Sequence, residues 1–412
     1  MKNILMFVVL FSIGNTFAQQ DSTTVYKKRV LETTEVDFIT SYYSQDGKNA
    51  ATTGGIGSEE LTDIATNIVV NMPLNDDDIL TVNIGVSAYT SASSSNVDPI
   101  DGSSGNVDAF QASTGASEAD VWFNVSGAYS HSSDNRNNLW SANISVSSEY
   151  DYFSVGFGGS YTKLFNKKNT EVSLSGNVYL DTWNAIYPSE LRGTVNEFSN
   201  EGRNSYSLGL SLSQILSKNL QGALLVDVVQ QNGLLSTPFH RIYFADVADT
   251  NIQQGFLQAD DIERLPDSRF KIAVGGRLNY YVNEVISLRS YYRYYFDDWG
   301  ISSQTASLEV PIKITDKFTL YPSYRYYQQT EADYFLPYNK HLSTSEFYTS
   351  DYDLSKYNAN QFSFGVSYTD IFAKAHIWKF GIKSIDFKYN NYSRETGLRA
   401  NNFALGFKFI MD

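Results

Sequence analysis

The chain has 412 residues and a formal net charge of −14; 42% of its residues are hydrophobic, 15% aromatic and only 18% charged. So many aromatics exclude a disordered chain, and a charged share this far below the usual quarter argues against ordinary soluble domains. With no cysteine there are neither disulfides nor thiolate metal sites, and the acidic balance argues against nucleic acid as a partner.

Met1-Lys2-Asn3 is a short positive start, Ile4 to Ile13 an apolar core, and Thr16-Phe17-Ala18 a small-residue cleavage site. This pattern predicts an export signal over 1–18, leaving 19–412 as the mature chain. No cysteine follows the cut, so no lipoprotein anchor is expected. Beyond residue 20 no apolar run approaches the roughly 20 residues that a spanning helix needs. Export together with abundant tyrosine points to the envelope of a double-membraned bacterium.

From there the chain alternates with period two, the mark of strands with one apolar face. Val82, Ile84, Val86 and Ala88 alternate with Asn83, Gly85, Ser87 and Tyr89. Phe403, Leu405, Phe407 and Phe409 do the same near the end. Sixteen such segments are predicted, near 33–43, 61–73, 79–90, 121–131, 138–149, 152–165, 170–183, 204–216, 219–231, 268–282, 285–297, 304–314, 318–330, 360–369, 377–389 and 402–411. Most exceed the usual five or six residues of a soluble strand and suit a tilted bilayer span.

Odd-to-even links are mostly long (44–60, 91–120, 184–203, 232–267, 331–359) and even-to-odd links mostly short, as at Asn283-Glu284. The predicted fold is therefore all-β: a single transmembrane antiparallel barrel of about sixteen strands, with long extracellular loops and short periplasmic turns. Closure is required because an open edge in lipid leaves backbone groups unpaired. Three links fit less well: Tyr150-Asp151 is tight where a loop is expected, and 131–137 and 370–376 are long for turns. Paired tyrosines at strand ends, such as Tyr42-Tyr43 and Tyr294-Tyr295, are expected in two interfacial girdles, with Trp183 and Trp299 at the outer one and Trp378 at the inner. A phase break predicts a bulge near Lys383-Ser384.

Several stretches resemble a family of bacterial outer-membrane proteins known as a domain of unknown function, number 3570. They are Gly233-Leu234-Leu235-Ser236-Thr237-Pro238-Phe239-His240-Arg241, Leu265-Pro266-Asp267-Ser268-Arg269, Tyr292 to Ile301, Ala332-Asp333-Tyr334-Phe335 and Thr349 to Ser355. The resemblance implies a barrel and marks Gly233, Pro238, His240, Arg241, Pro266 and Arg269 as family-motif positions, without known chemistry. Genes for a small lipoprotein, a thioredoxin-like protein and a flavin transferase often accompany this family, which implies an envelope redox setting and a lipoprotein partner.

Alternation places small polar groups such as Ser87, Ser126, Ser145, Ser173 and Ser207 on the lumen face of the early strands. It places Lys271, Arg277, Arg289, Arg293 and Arg325, with Asp227 and Glu309, on the lumen face of the later ones. Sixteen strands enclose an aqueous bore, and a guanidinium wall attracts anions. The expected function is porin-like passage of small polar or anionic solutes across the outer membrane. The alternative is a non-conducting surface barrel whose loops bind a partner or anchor an envelope complex.

Other chemistry finds little support. Asp98-x-x-Asp101-Gly102 offers oxygen ligands for calcium but lacks EF-hand spacing and reads as a solvated loop. His131-x-Ser133 lies in an irregular link that fixes no catalytic geometry. His240 and His341 belong to outward loops and His376 to a periplasmic link, so spacing gathers no metal site. No enzyme activity, catalytic residue or cofactor is expected; the partners are membrane lipid, small solutes and a lipoprotein, not nucleic acid.

Overall fold

The structure, a computed structural model, describes residues 29–411 apart from 91–118 and a few positions between 189 and 201 and between 249 and 255. The predicted export signal and the Asp98–Gly102 loop lie outside the described residues.

The described residues form sixteen long antiparallel strands: β1 (Glu35–Asp46), β2 (Leu61–Pro73), β3 (Asp78–Thr90), β4 (Ala119–Ser132), β5 (Asn138–Ser148), β6 (Tyr152–Phe165), β7 (Thr170–Trp183) and β8 (Gly202–Ser217). They continue as β9 (Leu220–Gly233), β10 (Ser268–Tyr281), β11 (Ser287–Asp297), β12 (Ser302–Glu309, resuming at Ile312–Lys313), β13 (Phe318–Gln329), β14 (Tyr357–Thr369), β15 (Phe380–Arg394) and β16 (Arg399–Met411). Each pairs with its chain neighbours, and β1 pairs with β16 from Glu35↔Ile410 to Asp46↔Arg399, closing the sheet into a barrel.

Alternation sorts the two faces. Leu174, Leu208, Leu224, Leu278 and Phe362 lie 47–61% exposed on the outside, an apolar band that water would not tolerate and lipid would. The inner face carries hydroxyl ladders instead: Ser126 pairs in register with Ser145, and Ser145 with Gly156. Ser141 and Ser160 share a 2.8 Å hydrogen bond across β5 and β6.

Side chains at one end shape the short turns. Asn75 Oδ1 accepts from the amides of Asp77 and Asp78, Asn283 Oδ1 from those of Val285 and Ile286, and Thr315 Oγ1 from those of Lys317 and Phe318. These Asx and hydroxyl turns satisfy amides that the ladder leaves behind. The bulge falls where expected, between Ile382 and Ser384. Strand twelve departs from its prediction: the 304–314 run breaks at Val310-Pro311, because proline donates no ladder hydrogen bond.

The girdle expectation is corrected for Trp183 and Trp299. Trp183 is 5% and Trp299 3% exposed, while Trp378 at the other end is 95% exposed. The pair Tyr42-Tyr43 divides for a simple reason: neighbours in a strand face opposite ways. Tyr42 is 43% exposed on the outside, whereas Tyr43 is 5% exposed and packs with Leu61, Tyr89 and Ala400.

Candidate functional site

On the lumen face, register brings the expected cations onto adjoining strands. Arg277 of β10 stands opposite Tyr291 of β11, Tyr291 opposite Ser307 of β12, and Ser307 opposite Arg325 of β13. Arg289 and Arg293 flank Tyr291 on β11, each two residues away and therefore on the same face. Lys271 lies in register with Asp297 and Val229 nearer the loop end.

Two carboxylates interrupt this wall. Arg289 Nη1 donates to Glu309 Oε1 at 2.9 Å, and Asp227 lies in the field of Arg293 and then Arg277. Rings support the guanidiniums: Arg277 sits 5.3 Å from the Tyr291 ring centre and Arg289 5.9 Å from that of Tyr321. Although it faces inward, the Arg289 side chain is 53% exposed, and that of Lys313, toward the short turns, is 50% exposed. Solvent therefore reaches the bore at this level.

The opposite end is occluded. Ser303, Gln329 and Tyr357 are each under a tenth exposed. Ion pairs are packed there: Arg203 with Asp181 at 2.9 Å, Arg269 with Asp297 at 2.5 Å and Arg394 with Asp353 at 2.7 Å. The Arg269 guanidinium also stacks 4.3 Å from the Trp299 ring centre, and Trp299 Nε1 donates to the Ser268 carbonyl. This explains the buried indole: it serves an inner charge pair, not the lipid boundary.

Above this level the loops build a lid with its own apolar core. Ile242 and Ile262 are 0% exposed, Phe239 4% and Tyr348 4%. A short hairpin, Arg241–Ile242 against Asp261–Ile262, organises the loop after β9. The loop after β13 docks on it: Ala245 N donates to the His341 carbonyl, and Arg264 and Tyr348 exchange backbone hydrogen bonds. Arg241 Nη1 donates at 2.7 Å to the Thr52 carbonyl in the loop after β1, and Tyr243 lies against Gly54 there. In a ring of sixteen, the β1–β2 and β9–β10 hairpins stand opposite each other, so these contacts cross the mouth.

Of the family-motif positions, Pro238, His240, Arg241 and Pro266 lie in this lid and Gly233 at its base, whereas Arg269 lies below it on β10, paired with Asp297. Gly233 adopts φ +110°, and a Cβ there would lie 2.1 Å from the Gly202 carbonyl oxygen, so only glycine fits. Pro238 is fully buried and Pro266 half-buried. His240 Nδ1 lies 3.3 Å from Glu263 Oε2, with the side chains 3% and 2% exposed. Burial disfavours the charged imidazole, but Glu263 outweighs it and holds the ring above its ordinary range. Sequence reasoning missed Glu263 and Asp351 as partners of His240, because 23 and 111 positions separate them and only the docked loops bring them together.

The remaining histidines are dispersed. His131 Nδ1 meets Asp78 Oδ1 at 2.6 Å while Ser133 Oγ donates to Asn135, so the two do not pair. His341 Nε2 bonds the Thr349 carbonyl, and His376 is exposed.

A family model described as "Protein of unknown function (DUF3570)" matches residues 4–403. No curated protein matches the chain. Among solved structures, the chain is similar to one described as a bacterial polysaccharide outer membrane secretin, at 9% identity and TM-score 0.46 over 92% of this chain and 98% of that one. It is also similar to a Pseudomonas aeruginosa FadL homologue (10%, TM-score 0.39, 93% and 91%) and to the outer membrane protein opdK of the same organism (7%, TM-score 0.39, 92% and 99%).

Proposed function

The chain belongs to the DUF3570 family, and we propose that it is an outer-membrane barrel that passes small polar or anionic solutes through a lumen guarded by its loop lid. The short turns face the periplasm, the loops face outward, and residues 1–18 are removed on export. The observation that carries this reading is the inner face of β10–β13. Arg277, Arg289, Arg293 and Arg325 share it with Asp227 and Glu309, a surplus of cations, and Arg289 is still half exposed. A structural barrel would gain little from hydrated charge in its bore, whereas a conduit for anions needs it. Passage then requires the lid to part.

The contacts across the mouth support a second reading, a closed surface barrel whose loops bind an envelope partner such as a lipoprotein. Flux separates the two. Proteoliposomes of the full mature chain should take up a small carboxylated sugar faster than an equally sized aminated one. No uptake of either above protein-free vesicles would favour the closed barrel.

A further inference from the structure

The lid holds a group that the passage does not use. One ring nitrogen of His240 and one carboxylate oxygen each of Glu263 and Asp351 lie within 4.8 Å of one another. The three come from the two loops that dock over the mouth, at or beside three of the stretches that carry the family resemblance. His240 is 2% and Glu263 2% exposed.

The surroundings hold these groups in place. Thr237 N donates to Glu263 Oε1 at 2.7 Å and Thr349 Oγ1 to Glu263 Oε2 at 2.5 Å. Asp353 N donates to Asp351 Oδ1 at 2.9 Å. Hydrogen-bonded carboxylates of this kind keep lone pairs in reserve. Two features stay unbalanced. Arg394 is taken by Asp353, which leaves the buried Glu263 and the half-buried Asp351 facing the His240 imidazole. His240 Nε2 is buried with no hydrogen-bond partner, a costly state for a ring nitrogen.

We propose that His240, Glu263 and Asp351 bind one divalent transition-metal ion of the zinc class, which ties the loop after β9 to the loop after β13. A 2+ ion neutralises both carboxylates and leaves the imidazole neutral. One ring nitrogen of the neutral imidazole then ligates the ion. The mixed nitrogen and oxygen donors suit zinc, manganese or iron(II) over calcium or magnesium, which take oxygen alone. Water completes the coordination of a three-ligand set. The site is independent of passage: the ion fastens the lid whether or not solutes cross.

The test uses the full mature barrel in detergent, stripped with a chelator and titrated calorimetrically with Zn²⁺ in excess Mg²⁺. One saturable ion per chain is expected. His240→Gln and Asp351→Asn should each weaken binding about tenfold or more, while His376→Ala, at an exposed histidine, should leave it unchanged. Bound Zn²⁺ should slow proteolysis within 234–267 and 330–356 in the wild type and not in Asp351→Asn. If a variant fails to assemble, the Co²⁺ spectrum of the wild type decides, because intense visible bands require a low-coordinate protein site. An absence of stoichiometric binding, a wild-type affinity in both variants, or only the weak bands of hydrated cobalt would overturn the proposal.

Discussion

Arg241 and Thr52 sit in loops that leave opposite sides of a sixteen-strand ring, yet the guanidinium donates to the Thr52 carbonyl at 2.7 Å. That bond joins the two sides of the mouth. A hydrogen bond from a charged donor contributes about 1.5–3 kcal/mol. Arg241→Ala should therefore speed proteolysis within the lid by about ten- to hundredfold while leaving the thermal midpoint of the barrel unchanged. An unchanged cleavage rate would mean that the lid does not depend on this contact.

Faces can be tested by placing one charge twice. Leu174 is 47% exposed on the outer face, whereas Ser173 beside it turns inward and shares a 2.8 Å hydrogen bond with Thr162. Leu174→Arg should cost about 2–4 kcal/mol if it meets the bilayer centre, and Ser173→Arg much less. Equal losses in urea titrations of folded barrel would reverse the face assignment.

Topology is tested by single cysteines, since the chain has none of its own. Val247→Cys, in the lid, should react with an impermeant maleimide on intact cells. Asp316→Cys, at a short turn where the side chain is 99% exposed, should react only after the outer membrane is permeabilised. Equal reaction at both would contradict the orientation.

Much of this was legible in the sequence. Period two exposed all sixteen strands and the bulge at Ile382/Ser384, because each strand keeps one apolar face for lipid. The cation wall followed from the same parity, which register later joined through Tyr291 and Ser307. The lid was not legible. Its core rests on Ile242, Ile262 and Tyr348, which share no periodicity, and His240 reaches Asp351 only through two docked loops. Trp183 and Trp299 misled for a related reason: a tryptophan at a strand end suits a lipid interface equally well as a cation's stacking partner.

A pH dependence follows from the tight turn between β5 and β6. Burial, and then the neighbouring Asp151, push the Glu149 carboxyl up to about 8. The folded turn thus keeps a proton that the unfolded chain releases from about pH 4.5 upward. This contribution favours folding at low pH, declines as pH rises toward about 8, and levels off beyond. Glu149→Gln should remove that decline, so the variant should melt higher than wild type at pH 8.5 and about equally at pH 5. Parallel melting curves across this range would show that Glu149 is not held protonated.

The central claim is a bore whose inward arginines set what passes. Reversal potential in a planar bilayer under a KCl gradient tests it most directly, with wild type compared against Arg289→Ser/Arg293→Ser. At low salt, where screening lengths reach about 30 Å, wild type should favour chloride. The double variant, assembling normally, should shift toward potassium, since it leaves Asp227 and Glu309 less opposed. A wild type with no conductance, or a conducting double variant with an unchanged reversal potential, would contradict the account.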